Sequence, residues 1–266
     1  MKILYVGDVM GETGLKLVER ELAGLRKEKD VDLVIAQAEN VSEGRGITLE
    51  DFGRLKKAGV DFCTGGNWTT YRPEIFPTLS DPTQPIIRPA NYPSDTAGRG
   101  YKWISVRGKD VLVISLLGQI VGRDADKPTD NPLKVVDEIL EREKPVKSSA
   151  IVVNYHGDFS SEKVVVGHYL DGRVSLVVGD HWHVPTADAR VLPGGTAHMT
   201  DVGMCGTLDS SLGVTYDSIL PRWRDGHPTK NVLATEPPYQ FNAVLVEVGD
   251  DGMAKSAEHI QKILNN

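Results

Sequence analysis

Cysteine is nearly absent from this 266-residue sequence: Cys63 and Cys205 are the only two. Two thiols so far apart exclude a disulfide framework, and they predict reduced side chains in a cytoplasmic protein. They also exclude a structural zinc site, which needs several thiolates. A basic excess is missing too. Lys and Arg number 30 against 37 Asp and Glu, for a formal charge of −7. That balance speaks against a dedicated DNA or RNA surface. It still allows a small anionic substrate, because bound cations reverse the local charge. No apolar run approaches membrane-spanning length, so no membrane association is expected. The opening segment Met1–Val6 runs straight into a strand pattern and is too short for a signal-peptide core. There is no internal repeat and no low-complexity tract. The polar stretch 122–132 is too short to mark a boundary, so one domain over residues 1–266 is expected.

What is present is an alternation of strand and helix patterns. Lys2–Val6 reads as a strand, Gly14–Lys27 as an amphipathic helix and Asp32–Ala36 as a second strand. Leu49–Lys57 reads as a helix with Thr48 as N-cap and Gly59 as stop. Val60–Cys63 is strand-like, and Arg72–Leu79 suits a short helix. This βαβα rhythm predicts parallel strands with helical crossovers. Tyr101–Val106 and Val111–Leu116 flank the turn sequence Arg107-Gly108-Lys109-Asp110 and predict an antiparallel hairpin. Helices follow at Asn131–Arg142 and Ser161–Tyr169, with a strand at Ala150–Asn154 between them. The remainder mixes strands at Thr196–Met199 and Phe241–Val248 with a helical stretch near Ser210–Leu220.

The chemistry gathers at the ends of the apolar runs. Gly179-Asp180-His181-Trp182-His183 follows Val174–Val178. On an extended backbone residues i and i+2 share a side, so both imidazoles are expected to reach one point beyond the strand. Asp8, Glu39 with Asn40, Asn67 after two glycines, and His156 each end another apolar run. In open α/β sheets ligands collect beyond the carboxyl ends of the strands. Singly, each group has an ordinary reading as a turn, a solvated carboxylate or a hydrogen-bonded histidine. The glycines near Asp8 do not follow the dinucleotide-binding spacing, and the carboxylate would repel a pyrophosphate. Jointly, carboxylate, amide and imidazole donors suit a pair of borderline metals such as manganese, iron or zinc. Two ions sharing one carboxylate fit phosphoester hydrolysis: one lowers the pKa of the attacking water, and both neutralise phosphoryl charge.

The series Gly7-Asp8-Val9-Met10-Gly11, Glu39-Asn40, Gly66-Asn67, His156 and His181-Trp182-His183 resembles the calcineurin-like metallophosphoesterases. More closely, it resembles their YmdB-like branch of cyclic-nucleotide phosphodiesterases. The stretches Arg88–Pro93, His183–Asp188 and Thr200–Met204 carry the likeness further along the chain. The resemblance implies an α/β fold in a four-layer α/β/β/α metallophosphoesterase sandwich. It implies that Asp8, Asn40 and His183 bind one ion, that Asn67, His156 and His181 bind the other, and that Glu39 bridges them. It also implies hydrolysis of phosphodiesters, with 2′,3′-cyclic nucleotides as the natural class and iron or manganese as the metals, zinc being the third candidate. One position departs. The family places a histidine after the Gly-Asn pair to protonate the leaving oxygen, and this chain has Trp68. His168 and His198 are far along the chain, so no residue is assigned as proton donor.

Other residues read more plainly. His168, His227 and His259 are expected at the surface or in polar segments. Asp180 should face away from His181 if the strand continues. Asp201 suits either a turn or the orientation of an imidazole. Arg45, between Gly44 and Gly46, reads as a solvated loop charge within reach of a substrate phosphate. Two other functions compete. Amidohydrolase barrels also use His-x-His, but early in the chain, whereas here it comes last and the hairpin breaks an eightfold rhythm. With Trp68 at the acid position, a metal- and nucleotide-binding sensor or regulatory protein is the alternative to the enzyme. Homo-oligomerisation stays open.

Overall fold

The computed structural model describes residues 1–122, 124–144, 146 and 148–266. The first half of the chain supplies β1 (Lys2–Val6), β2 (Asp8–Val9), α1 (Gly11–Lys29), β3 (Leu33–Gln37), α2 (Leu49–Ala58) and β4 (Phe62–Thr64). A 3₁₀ turn at Pro73–Ile75 runs into α3 (Phe76–Ser80). Then come β5 (Tyr101–Val106), β6 (Lys109–Leu117), α4 (Pro132–Glu143), β7 (Ala150–His156), α5 (Ser160–Tyr169) and β8 (Leu176–Asp180). The last part holds β9 (Arg190–Val191), β10 (Ala197–Met199), β11 (Met204–Thr207), α6 (Tyr216–Asp225), β12 (Tyr239–Val248) and β13 (Ala254–Leu264).

The helix ends follow local chemistry. Thr48 accepts from the Asp51 amide at the start of α2, and Gly59 ends it at φ 107°, a left-handed position that suits glycine. The Asn131 side chain accepts from the amides of Leu133 and Lys134 to start α4. On α1 the buried face is Leu15, Val18, Leu22 and Leu25, a helical repeat that drives the helix onto a sheet.

Two sheets form. The first has the order β2-β11-β12-β1-β3-β4, with β13 also on β12. Since β13 pairs along the length of β12, β1 and β11 share its other edge end to end. Strands β1, β3 and β4 run parallel. The second sheet has the order β5-β6-β7-β8-β10-β9, in which β6, β7, β8 and β10 run parallel.

Alternation along the strands sorts side chains into three apolar layers. Ile3, Tyr5, Ile35 and Val246 from the first sheet meet Val113, Val152, Val178 and Met199 from the second. The opposite face of the first sheet, with Leu4, Val6 and Val34, takes α1 and α2. The outer face of the second, with Ile114, Val153 and Val177, takes α4 and α5. Each such side chain contributes about 1.5–3 kcal/mol when fully buried. The result is the expected α/β/β/α order.

Two sequence expectations need correction. The helix placed near Ser210–Leu220 begins only at Tyr216. Leu212 (φ 56°) and Gly213 (φ 90°) are left-handed and form a turn there instead. The charged C-terminal segment is a strand, β13, and His259 on it is half-buried, with Nε2 3.2 Å from Asn242 Oδ1, rather than solvated. His168 and His227 are exposed as expected.

Candidate metal centre

All seven singled-out residues lie at the carboxyl ends of strands, where the two sheets face each other. Asp8 follows β1 at the step where the chain leaves β12 and pairs with β11 through Met204. Glu39 and Asn40 follow β3, and Asn67 follows β4. His156 is the last residue of β7, and His181 and His183 lie just past β8. A Cβ on Gly66 would overlap the His156 ring. Glycine there lets the β4 turn come flush against the imidazole of the other sheet.

Two groups result. In the first, carboxylate and ring atoms of Glu39, His156 and His181 all lie within 4.8 Å of one another. His156 Nε2 is 3.0 Å from Glu39 Oε1 and 2.9 Å from Asn67 Oδ1. In the second, His183 Nε2 is 3.6 Å from Asp8 Oδ1, and Asn40 Nδ2 lies 3.2 Å from each of them. The extended-backbone expectation for the two histidines fails. His181 has φ 105° and His183 φ 62°, so the rings diverge into different groups instead of meeting at one point. Non-glycine residues at positive φ are strained and collect at functional sites.

Each ring is oriented by an acceptor on its far side, which is how metal-binding imidazoles are aimed. His156 Nδ1 lies 2.6 Å from Asp180 Oδ1. His183 Nδ1 lies 3.0 Å from the Leu212 carbonyl. His181 Nε2 lies 3.4 Å from Asp158 Oδ1. Asn67 is aimed likewise: its Nδ2 donates to Asp124 Oδ2 at 2.9 Å, which turns Oδ1 toward His156. Asn40 presents its amide nitrogen. A cation would take its Oδ1, which calls for a turn of the terminal amide.

Electrostatics follow from burial. Burial would raise the Asp8 carboxyl, but His183 and His156 outweigh it and lower it to about 2. Burial would push His156 down, yet Glu39 and Asp180 hold it well above the ordinary histidine value. His183 is raised for the same kind of reason, with Asp8 as the opposing charge. Glu39 and Asp180, both fully buried, face the two nitrogens of the His156 ring at 3.0 and 2.6 Å. Two buried carboxylates around one imidazole concentrate negative charge that burial makes costly without a compensating positive one. Carboxylate, amide and imidazole groups gathered this closely fit a divalent cation. The thiol-free set of carboxylates, amides and imidazoles fits a borderline one.

The sequence reading missed Asp180 as a partner of His156. Asp180 is fully buried and accepts from Tyr5, Gln37 and Asn154 as well. It missed Asp158, two residues after His156, and Asp124. The Leu212 carbonyl carries no side-chain signal at all. Asp201 orients no imidazole; it accepts from Lys163 and the Trp182 amide. Trp68 follows Asn67, and its amide donates to Glu39 Oε2 at 2.9 Å. No helix among the described residues is long and apolar enough to cross a membrane.

Comparison with known proteins adds relatives to this geometry. A 2′,3′-cyclic-nucleotide 2′-phosphodiesterase of Bacillus subtilis is 36% identical over 266 residues, covering 100% of this chain and 97% of its own. The crystal structure of a novel phosphatase from Mycoplasma pneumoniae superposes with a TM-score of 0.92 at 29% identity, covering 100% of this chain and 94% of its own. A hypothetical protein from Thermus thermophilus does so with a TM-score of 0.90 at 36% identity, over 99% and 100% of the two chains. The family described as YmdB-like protein matches residues 4–263. Matched nearly end to end, the chain belongs to the YmdB-like protein family.

Proposed function

We propose that this chain, a hydrolase of phosphate esters by family, cleaves phosphodiesters at a two-cation centre, with 2′,3′-cyclic nucleotides as its substrate class. The observation that carries the reading is the fully buried Glu39 carboxylate, gathered with ring nitrogens of His156 and His181 within 4.8 Å of one another. Glu39 would be shared by both ions. Asn67, His156 and His181 would hold one ion with it, and Asp8, Asn40 and His183 the other. Iron or manganese suits these donors, with zinc as the third candidate. Bound divalent ions supply a lowered pKa for the attacking water and charge neutralisation at the phosphoryl oxygens. The B. subtilis relative's name supports the cyclic-nucleotide class.

The chain's own groups do the positioning. Asp180 fixes the His156 tautomer, so that Nδ1–H donates and Nε2 faces the centre. His181 is the most open ring, at 20% exposure against 0% and 9% for His156 and His183, so the ester enters over His181. Trp68 is half-buried, follows Asn67 and is tied through its amide to Glu39. Indole does not release a proton near neutral pH, so Trp68 does not act as the acid.

That substitution favours one second reading, a binding protein with little turnover. Manganese- or iron-loaded protein assayed on a 2′,3′-cyclic nucleotide and on phosphomonoesters separates the readings. Diester turnover exceeding monoester turnover supports the enzyme. Monoester turnover alone overturns the substrate class, and nucleotide binding without any hydrolysis favours the sensor.

A further inference from the structure

The Arg45 guanidinium carries five donors, yet among the described residues no carboxylate lies within 4.0 Å of it and no hydrogen-bond acceptor meets it. Its partner is the Trp68 ring, whose centroid is 4.9 Å from Arg45 Cζ. Tyr71 meets the same indole edge-on at 5.2 Å. Lys127 Nζ lies 6.0 Å from the indole centroid, and it donates to the Asn67 carbonyl at 3.1 Å. The Arg45 backbone is held by its own contacts, and its side chain only by the indole. Gly44 and Gly46 flank it at φ 76° each, a conformation that favours glycine. Arg72 Nε grips the Arg45 carbonyl at 2.9 Å, and the Gly46 amide donates to the Glu39 carbonyl. The loop is thus tied to the residue that bridges the proposed centre.

The geometry points to a nucleotide subsite in which Trp68 takes the base on its ring and Arg45 takes the phosphate. This rests on the proposed diesterase reading and deepens it. Stacking of a base on an aromatic ring, about 1–3 kcal/mol, matches or exceeds a half-buried cation–π pair. A planar base thus competes with Arg45 for the indole, and does so with a phosphate at hand to take up the guanidinium. The freed guanidinium then finds the acceptors it lacks on the phosphate, for which its donor fork is suited. Trp68 is held by its own amide to Glu39, so the ring is positioned by the same carboxylate that sits at the centre. The position that loses a proton donor gains a base-reading surface.

The test is equilibrium binding to the full, manganese-loaded chain by calorimetry. The probes are adenosine 5′-monophosphate and ribose 5-phosphate, which differ only in the base. The wild type is expected to prefer the nucleotide. Trp68→Leu is expected to raise the nucleotide Kd by about tenfold, within the range for loss of one base stack, and to move the ribose phosphate Kd less than twofold. Trp68→Tyr should recover most of the preference. Arg45→Gln should weaken both probes to a similar degree. Equal weakening of both probes by Trp68→Leu, or no response of either probe to Arg45→Gln, overturns the subsite. A base preference in a protein that hydrolyses no diester would leave the subsite standing and remove the proposed activity. Diester hydrolysis without a base preference would do the reverse.

Discussion

Lys163 Nζ lies 2.8 Å from Asp201 Oδ2, and both side chains are almost wholly buried beneath the loop that carries His181 and His183. The same ammonium donates to the Asp180 carbonyl at 2.6 Å and lies 4.2 Å from the Trp182 ring centroid. Asp201 also holds the Trp182 amide, and the Trp182 indole donates to the Asp158 carbonyl. The residue between the two histidines is therefore pinned on three sides. Removing one member of a buried ion pair leaves the other charge uncompensated and costs about 3–5 kcal/mol. Lys163→Met should lower stability by that order, read from urea midpoints, and weaken metal binding as the strained histidine loop relaxes. A variant as stable as the wild type would show that the pair does not hold this loop.

Glu39→Gln should reduce the metal content at both positions. A neutral amide keeps the shape but loses the charge that two cations would share. Elemental analysis after dialysis should find well under two ions per chain. Retention of both with unchanged affinity would remove Glu39 from the bridging position.

Acidity should oppose metal loading. In the metal-free fold the His156 and His183 pKa values are raised above the ordinary histidine value. Both rings therefore hold protons at pH values where free histidine has lost them. The stability gained from those charges is complete below the unfolded pKa and disappears as pH rises through the folded one. A cation needs the neutral ring, so loading expels protons, roughly one to two per chain at pH 7 if both rings take part. Affinity should then rise with pH through the window above about 6.5. Calorimetry in two buffers of different ionisation enthalpy measures the release. A proton count of zero at pH 7 would contradict the raised values.

Trp68→His should restore an acid beside the leaving oxygen. General-acid help is worth about 10²–10⁴ in rate, and it matters most for a poor leaving group such as a nucleoside alkoxide. The kcat for a 2′,3′-cyclic nucleotide should rise far more than that for an activated aryl diester, whose phenolate departs unprotonated. Equal effects on the two would mean that proton donation is not what the tryptophan removed. KM reports separately on the lost ring.

Where local chemistry decides, the sequence was readable. Thr48 and Gly59 bracket α2, and the turn at Arg107-Gly108 joins β5 to β6 as expected. The α/β/β/α order was available through the family resemblance, and the gathering of scattered polar residues at strand ends was legible because each follows an apolar run. Asp180 was not. Its partners Tyr5, Gln37 and Asn154 come from three other strands and both sheets, and no spacing within the chain encodes that meeting. Strand β13 was hidden because Lys255, Ser256 and Glu258 on this edge strand stay exposed, which dilutes the apolar signal. The divergence of His181 and His183 was hidden because it arises from positive φ at non-glycine residues, which the fold imposes.

The order in which the centre's parts leave the ribosome differs from the order in which they become useful. Carboxylates and amides are all made by Asn67, the imidazoles arrive between His156 and His183, and β1 still lacks its antiparallel neighbour until β12 is synthesised at Tyr239–Val248. A nascent chain that ends soon after His183 carries every donor and no complete frame to hold them. Unfinished or prematurely terminated copies would therefore hold no metal at the proposed centre, and the centre would form only when the final strands have docked.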